Sequence, residues 1–142
     1  MDKNNWRECV KLPTGEDHKH VAPNVYSIAE AQFLPGSKSC CIYHGDEIVG
    51  YTLYNLSYAA ALRLRLWVSR LMITEPQRGK GYARAAMQQI IAEARQQDCV
   101  EVGLSTEPEN FKAIRLYESL GFRATGKIDD GEMVYICPLL AG

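Results

Sequence analysis

A glycine-containing segment is the first part of the chain whose residue types suit ligand chemistry. It runs from Gln77 to Ala83 with the sequence QRGKGYA, follows an apolar stretch, and leads into an amphipathic helical pattern. The start of a helix offers unpaired backbone N–H groups and a partial positive charge, so glycines there suit a diphosphate. The motifs GxxxxGK[ST] and GxGxxG are absent, which argues against ATP and NAD. Taken alone, the segment fits a surface turn before a helix equally well.

A second motif follows further along the chain. It reads Asn110-x-x-Ala113-x-x-Leu116-Tyr117-x-x-x-Gly121-Phe122. Together with Arg78-x-x-Gly81-x-Ala83 it resembles the paired signatures of the GNAT acetyltransferase superfamily, whose first signature is R/Q-x-x-G-x-G/A. The pair is far more specific than either half. The resemblance implies that acetyl-coenzyme A is the co-substrate and that an amine receives the acetyl group.

The resemblance also implies which residues would hold the coenzyme. Backbone groups of Leu71, Met72 and Ile73 would pair with the pantetheine arm, and one N–H there would bind the thioester oxygen as charge develops on it. Asn110 would bind the same arm, or it would cap its helix. The diphosphate would be bound by backbone amides of the glycine loop, which are those of Arg78, Gly79, Lys80, Gly81, Tyr82 and Ala83.

Tyr117 matches the tyrosine that protonates the departing thiolate in many members of the family. A thiol has a pKa of about 8.5, so a phenol that donates a proton as the bond breaks makes it a better leaving group. The alternative is that Tyr117 is the aromatic residue of a helical seam packed on the core.

The resemblance implies that Glu30 lies on the substrate-side helix, which makes it the candidate for binding or activating the acceptor. A free alkylamine has a pKa of about 10.4, so a group or a water molecule must take its proton before attack. The alternative is a solvated surface carboxylate. Ser69 and Arg70 stand where many family members carry a glutamate, so direct base catalysis from that strand is not expected. Glu75 is a nearer substitute.

Two cations and two aromatic side chains complete the candidate set. Lys112 and Arg115 could reach the coenzyme 3′-phosphate, or they are solvated helix charges. Tyr26 and Trp67 could offer aromatic faces to a cationic acceptor. None of these four residues is diagnostic singly.

Three shorter stretches point to a narrower branch. Trp6–Cys9, Val21–Ala31 and Arg70–Ile73 resemble the bacterial spermine/spermidine acetyltransferases, which implies a polyamine acceptor. A peptide amine, an amino acid and an aminoglycoside remain alternatives, as does a non-catalytic acetyl-coenzyme A sensor. No cysteine has a sequence context for activation, so we expect direct attack in a ternary complex.

The elements needed to position these residues form an α/β (α+β) pattern. Their order is β, two helices, β-β-β, α, β, α, β-β, and it resembles the GNAT fold: one domain over residues 1–142 with a central, mostly antiparallel mixed sheet flanked by helices. The first strand is predicted at Arg7–Leu12 and the fourth begins at Leu62. A kink near Ser69-Arg70 would suit the splayed strand that precedes the pyrophosphate loop in this fold.

Composition limits the partners. The 142 residues carry 16 Lys and Arg against 17 Asp and Glu, a net charge of -1, so neither nucleic acid nor an anionic membrane is an expected partner. The polar first residues and the lack of a long apolar run favour the cytoplasm. The five cysteines show no CxxC spacing and are expected to be reduced packing residues, with no metal site. An edge strand in the final hairpin would permit a homodimer.

Overall fold

The computed structural model describes residues 1–13, 24–34 and 36–139, and the helix predicted to begin near Glu16 lies outside them. The helices are α1 (Trp6–Lys11), α2 (Asn24–Ala31), α3 (Tyr82–Gln96) and α4 (Phe111–Ser119). The strands are β1 (Ser37–His44), β2 (Glu47–Tyr58), β3 (Leu64–Ile73), β4 (Glu101–Thr106), β5 (Arg123–Asp129) and β6 (Glu132–Pro138). Short 3₁₀ turns cover Ala60–Leu62 and Glu75–Gln77.

The strands form a six-stranded mixed sheet in the order β1-β2-β3-β4-β6-β5. β3 and β4 run parallel, with Arg65–Trp67 opposite Glu101–Gly103, whereas β1–β2, β4–β6 and β5–β6 are antiparallel. The predicted α/β class with a mixed sheet flanked by helices is therefore confirmed. That residues 1–142 form one acetyltransferase domain stays a prediction, as does the splay of β3.

The chain divides into two compact units. The first comprises Met1–Asn55 and Ser69–Ala86, and the second comprises Leu56–Val68 and Met87–Gly142. In the first unit, a hairpin turns at Gly45, whose φ of 61° is readily adopted by glycine. The core of this unit is built from β2, β3 and the two N-terminal helices, with buried side chains contributed by Cys9, Ile48, Tyr51, Leu53 and Met72.

The prediction of a first strand at Arg7–Leu12 is wrong, because this segment is the helix α1. Only Cys9 of the helix is buried, at 0% exposure, so the segment has one inward residue rather than the alternate inward residues of a strand. Glu8 lies in the first turn and Lys11 in the last, which complements the helix dipole.

Two of the five cysteines are paired. The sulfur atoms of Cys9 and Cys41 form a disulfide, with Cα atoms 6.6 Å apart, whereas Cys40, Cys99 and Cys137 are free. The expectation that all five are reduced packing residues is therefore wrong for this pair. The missed pairing follows from the missed helix, since the buried side of α1 carries Cys9 toward β1.

The second unit is organised by β4, whose residues Val102 and Leu104 are buried as their alternation predicts. The hairpin between β5 and β6 turns at Asp130 and Gly131, both with positive φ, as in a tight two-residue turn. Leu62 was expected to begin a strand, but it lies in the turn before β3 with φ 57° and 82% exposure. The alternation of apolar residues extends from the strand back to Leu62, because the turn residues before β3 are also apolar.

Candidate active site

The glycine loop joins the end of β3 to the start of α3 within the first unit. Gly79 and Gly81 have φ values of 79° and 87°, and a Cβ atom at either position would meet no protein atom within 4 Å. Glycine is therefore favoured here by backbone conformation rather than by crowding within the protein. Tyr82 is the first residue of α3, so the loop delivers backbone N–H groups to a helix N-terminus, as predicted.

Side chains tie this loop to its neighbours. Arg78 Nε donates to the carbonyl oxygen of Ile73 at 3.0 Å, which links the loop to the last residue of β3. Lys80 Nζ donates to Gln77 Oε1 at 2.8 Å, and Gln77 Nε2 donates to Glu47 Oε1 at 3.0 Å. The glycine loop is thus hydrogen-bonded to Glu47, which directly follows the β1–β2 turn.

The aromatic ring of Tyr82 adds a further contact with the same turn. Its centroid lies 5.0 Å from that of His44, at the end of β1. The ring is therefore engaged on the protein side, which fits the prediction that Tyr82 acts through its backbone amide.

The strand segment Leu71–Ile73 is held firmly by β2. Met72 and Ile73 are buried, and a Cβ atom at Gly50 would collide with the backbone oxygen of Met72. The Thr74 N–H donates to the Val49 carbonyl at 2.8 Å just beyond the strand. A glycine at position 50 therefore lets β2 approach this end of β3 closely.

The suspected kink near Ser69-Arg70 is not needed to explain the sequence pattern. Leu66, Val68 and Met72 are buried at alternate positions along a continuous strand, and the half-buried Arg70 occupies the position between them. The apparent change of phase arises because an arginine stands at one inward position of the strand.

The spacing of Val25, Ile28 and Ala29 predicts that these residues form one apolar face of the candidate acceptor helix, α2, but the structure buries a different face. Val25 is 47% exposed and Ala29 is exposed, whereas Asn24 is fully buried and Ile28 is half-buried. The prediction missed Asn24 because a polar residue was not counted toward the buried face. Glu30 lies on the exposed side, as does Tyr26, which precedes it by one helical turn.

A buried tyrosine on β2 in the first unit was not among the predicted site residues. Tyr51 is 0% exposed, and its hydroxyl is hydrogen-bonded to the hydroxyl of Ser39. Burial raises its pKa, Arg70 opposes the increase, and Cys40 and Glu30 add to it. Glu30 and Arg70 therefore both affect the pKa of this phenol. The sequence around Tyr51 is an apolar run, which predicts only a core strand.

Tyr117 lies on α4, in the second unit. Its ring packs against Phe122 with centroids 5.7 Å apart, and burial raises its pKa to about 12. The phenol therefore keeps its proton throughout the neutral range, which is the form a proton donor needs. The residue packs against its neighbours, as the packing interpretation expects, and its role as the acid stays a prediction.

Asn110 occupies the N-cap position of α4 in the second unit. Within the described residues its side chain makes no capping hydrogen bond. The capping interpretation is therefore not supported, and the predicted contact with pantetheine stays a prediction. On the same helix, Lys112 is exposed, and Arg115 Nε donates to the Phe111 carbonyl at 3.4 Å.

The remaining candidate side chains differ in their surroundings. Trp67, in the second unit, is half-buried, with the guanidinium carbon of Arg65 5.1 Å from its ring centroid. A Cβ atom at Gly103 would lie 2.8 Å from the same ring, so the indole covers that glycine. Glu75 is exposed in the turn after β3, where its N–H donates to the Pro13 carbonyl at 3.1 Å.

The structure thus places the predicted residues in two sets. Glu30, Leu71–Ile73 and Arg78–Ala83 belong to the first unit, and Asn110 and Tyr117 belong to the second. The described ranges contain no cluster of three or more His, Cys, Asp or Glu side chains that could hold a metal ion. None of the helices seen over residues 1–13, 24–34 and 36–139 is long and apolar enough to cross a membrane.

Comparison with known proteins identifies the family of this chain. The model of the acetyltransferase (GNAT) family matches residues 5–122. The spermine/spermidine N(1)-acetyltransferase of Bacillus subtilis (strain 168) is 31% identical over 130 residues, covering 82% of this chain and 86% of the relative. The chain belongs to the GNAT acetyltransferase family. It is an acetyl-coenzyme A-dependent N-acetyltransferase, as the two sequence signatures predict.

Solved structures show the same fold. The NatC complex bound to Gag peptide and CoA superposes with a TM-score of 0.71 at 22% identity, covering 98% of this chain and 93% of that one. A GNAT family acetyltransferase from Elizabethkingia anophelis, solved with acetyl-CoA bound, gives a TM-score of 0.67 at 13% identity and covers 91% and 93% of the two chains. At these identities the similarity concerns the fold alone.

Proposed function

We propose that this enzyme acetylates a small aliphatic polyamine, such as spermidine or spermine, in a ternary complex with acetyl-coenzyme A. The observation that carries the proposal is the 31% identity with the spermine/spermidine relative over most of both chains. The exposed face of α2 supports it, because Tyr26 and Glu30 present an aromatic ring and a carboxylate one turn apart. These are the two kinds of group that bind alkylammonium ions.

Coenzyme binding in this proposal relies mainly on the backbone. The amides of Arg78–Ala83 bind the diphosphate, and those of Leu71–Ile73 bind pantetheine and the thioester oxygen. β3 pairs with β4 as far as Trp67 and continues to Ile73. The segment Leu71–Ile73 therefore lies beyond the part of β3 that pairs with β4. The side chain of Asn110, which makes no capping hydrogen bond to its helix, contributes a further hydrogen bond to pantetheine. No metal has a role in the proposed reaction.

The chemical step transfers the acetyl group directly. The neutral amine nitrogen attacks the thioester carbonyl carbon, and the C–S bond breaks as the tetrahedral intermediate collapses. The thiolate takes a proton from the Tyr117 hydroxyl, which is protonated at neutral pH, and the phenolate left behind regains a proton from solvent. The proton lost by the amine passes to solvent, with Glu30 or Glu75 assisting through water.

A thiol-release assay over a panel of amines tests this proposal. The panel contains spermidine, spermine, single amino acids, an aminoglycoside and peptides with free N-termini. We expect the highest kcat/KM with a polyamine. The panel includes peptides because this chain also resembles N-alpha-acetyltransferase 30 of Saccharomyces cerevisiae. The two are 36% identical over 61 residues, which is 43% of this chain and 35% of that one. Tight coenzyme binding without release of thiol to any amine would instead indicate a sensor.

Location and assembly complete the proposal. We place the enzyme in the cytoplasm. Its partner in this proposal is a small-molecule amine rather than nucleic acid or a membrane, since its formal net charge is only -1. A homodimer would use β5, one of the edge strands of the sheet, which is exposed along its whole length. Fractionation of cells and sedimentation of the purified protein test these two points separately.

A further inference from the structure

A buried amide joins three elements of the first unit. Asn24 is the first residue of α2 and is 0% exposed. Its Nδ2 donates to the Cys9 carbonyl on α1 at 2.6 Å, and its Oδ1 accepts from Arg70 Nε on β3 at 3.0 Å. Nδ2 also lies 3.7 Å from the sulfur of Met72. A side chain with this many partners fixes the relative positions of α1, α2 and β3.

We call the hydrogen bond from Arg70 to Asn24 the Asn24–Arg70 link. Arg70, at one end of this link, is itself held in place by β2. The carbonyl oxygen of Arg70 accepts a hydrogen bond from Thr52 Oγ1 at 2.7 Å, and Thr52 is only 4% exposed. Arg70 is thus held by β2 through its backbone and by α2 through its side chain. Burial lowers the pKa of its guanidinium, while the neighbouring Tyr51 opposes that change.

The position of the link along the strand and the helix gives it a functional meaning. Arg70 directly precedes Leu71–Ile73, the proposed thioester-binding segment, and Asn24 begins the helix that carries Glu30. A shift at either end of the hydrogen bond would therefore move the proposed acceptor group relative to the proposed acetyl donor. An error of about 1 Å in such a geometry can cost about 100-fold in rate.

We propose that the Asn24–Arg70 hydrogen bond is a positioning device that sets helix α2, and with it Glu30, against the coenzyme-binding end of β3. Neither residue contacts a reacting atom in this proposal. The inference rests on the proposed function, because it takes the acceptor role of Glu30 and the coenzyme role of Leu71–Ile73 from there. An arginine at position 70 then has a structural use in this strand.

The experiment compares variants that break different halves of the link. Arg70→Lys keeps the positive charge but removes the Nε donor, and Asn24→Leu removes both hydrogen bonds. We expect each to lower kcat/KM for the acceptor at least tenfold while changing the Kd for acetyl-coenzyme A less than threefold. The double variant should be no slower than Asn24→Leu, because the two residues act through one bond. Additive losses would overturn the proposal.

A third variant separates positioning from stability. Asn24→Asp keeps the oxygen that accepts from Arg70 and loses the donor to Cys9, so it should lower Tm while retaining more acceptor activity than Asn24→Leu. If Asn24→Asp loses stability and acceptor activity in the same proportion as Asn24→Leu, the link has only a structural role and the proposal fails.

Failure of the proposed function would look different. A wild-type protein that turns over no amine in the panel contradicts the polyamine proposal, and positioning is then measured by amide hydrogen exchange in α2. Arg70→Lys should accelerate exchange over residues 24–31 at least tenfold in the intact protein. Unchanged exchange in the variant would overturn the positioning device irrespective of the substrate.

Discussion

Arg78 Nε donates a hydrogen bond to the Ile73 carbonyl at 3.0 Å, so the arginine of the glycine loop binds the strand that precedes it. This contact gives the arginine a role in shaping the loop. It also explains how a segment with two positive-φ glycines can keep its N–H groups in a fixed arrangement. A preorganised set of amides binds an anion without the cost of ordering the loop on binding.

Replacing this arginine should therefore weaken coenzyme binding. In Arg78→Gln the charged donor to Ile73 is lost, and a charge-assisted hydrogen bond contributes about 1.5–3 kcal/mol. We expect the Kd for acetyl-coenzyme A to rise about tenfold or more in calorimetry. Arg123→Gln on β5 is the control, since it makes the same change of charge at an exposed site. Equal affinities for wild type and Arg78→Gln would exclude the anchoring role.

Gly81 allows a graded test of the loop. A φ of 87° disfavours any L side chain, so Gly81→Ala should cost about 1 kcal/mol in free energy of unfolding. Gly81→Asp and Gly81→Val should abolish coenzyme binding with the fold largely intact, because each side chain obstructs the approach of the diphosphate and Asp also repels it. Gly45→Ala, in the β1–β2 turn with φ 61°, is the matched control for backbone strain. Unchanged coenzyme affinity in Gly81→Asp would refute the assigned loop.

Tyr117 should control departure of the thiol. We expect Tyr117→Phe to reduce kcat about 10- to 100-fold with little change in coenzyme affinity, because only proton donation is lost. Tyr58→Phe, which alters an exposed hydroxyl on β2, should be neutral. A fully active Tyr117→Phe enzyme would leave this residue with its packing role alone.

The pKa of Tyr117 also predicts a pH dependence. Its value of about 12 in the folded protein exceeds the ordinary 10.0, so the folded state retains this proton more strongly than the unfolded chain. The resulting stability is fully present below pH 10 and is lost as the pH rises from about 10 to about 12. Ultraviolet titration should show a phenol ionising near pH 12 that disappears in Tyr117→Phe. An unchanged titration curve in that variant would contradict the assignment.

No acetyl-enzyme is expected during turnover. Burial raises the pKa of Cys99 and of Cys137, which disfavours their nucleophilic thiolate forms, and Cys9 is paired with Cys41. Mass spectrometry of the enzyme quenched during turnover should find no acetyl adduct, and Cys40→Ser should keep its activity. A cysteine adduct that forms and decays at the rate of turnover would require a double-displacement mechanism instead.

The sequence predicted those parts of the molecule whose local pattern and final environment agree. The glycine loop leads into the helix α3 as its pattern indicates, and the mixed sheet forms as the order of elements indicates. The errors occur where long-range contacts decide. The segment Arg7–Leu12 is helical because a single inward cysteine meets the core, and Asn24 is buried because partners distant in sequence satisfy its amide. Such partners leave no local signal.

Glu30 provides the test of acceptor recognition. Glu30→Gln keeps the size of the side chain and removes its charge, so the apparent KM for spermidine should rise while the affinity for acetyl-coenzyme A stays nearly constant. We expect an increase of about fivefold, because an exposed carboxylate–ammonium contact contributes up to about 1 kcal/mol. Higher salt should shrink the difference between variant and wild type, as screening weakens the same contact. Asp129→Asn, at the exposed end of β5, is the control for the change in net charge. If Glu30→Gln and wild type show the same kinetics at low salt, Glu30 lies outside the acceptor site and another group must recognise the amine.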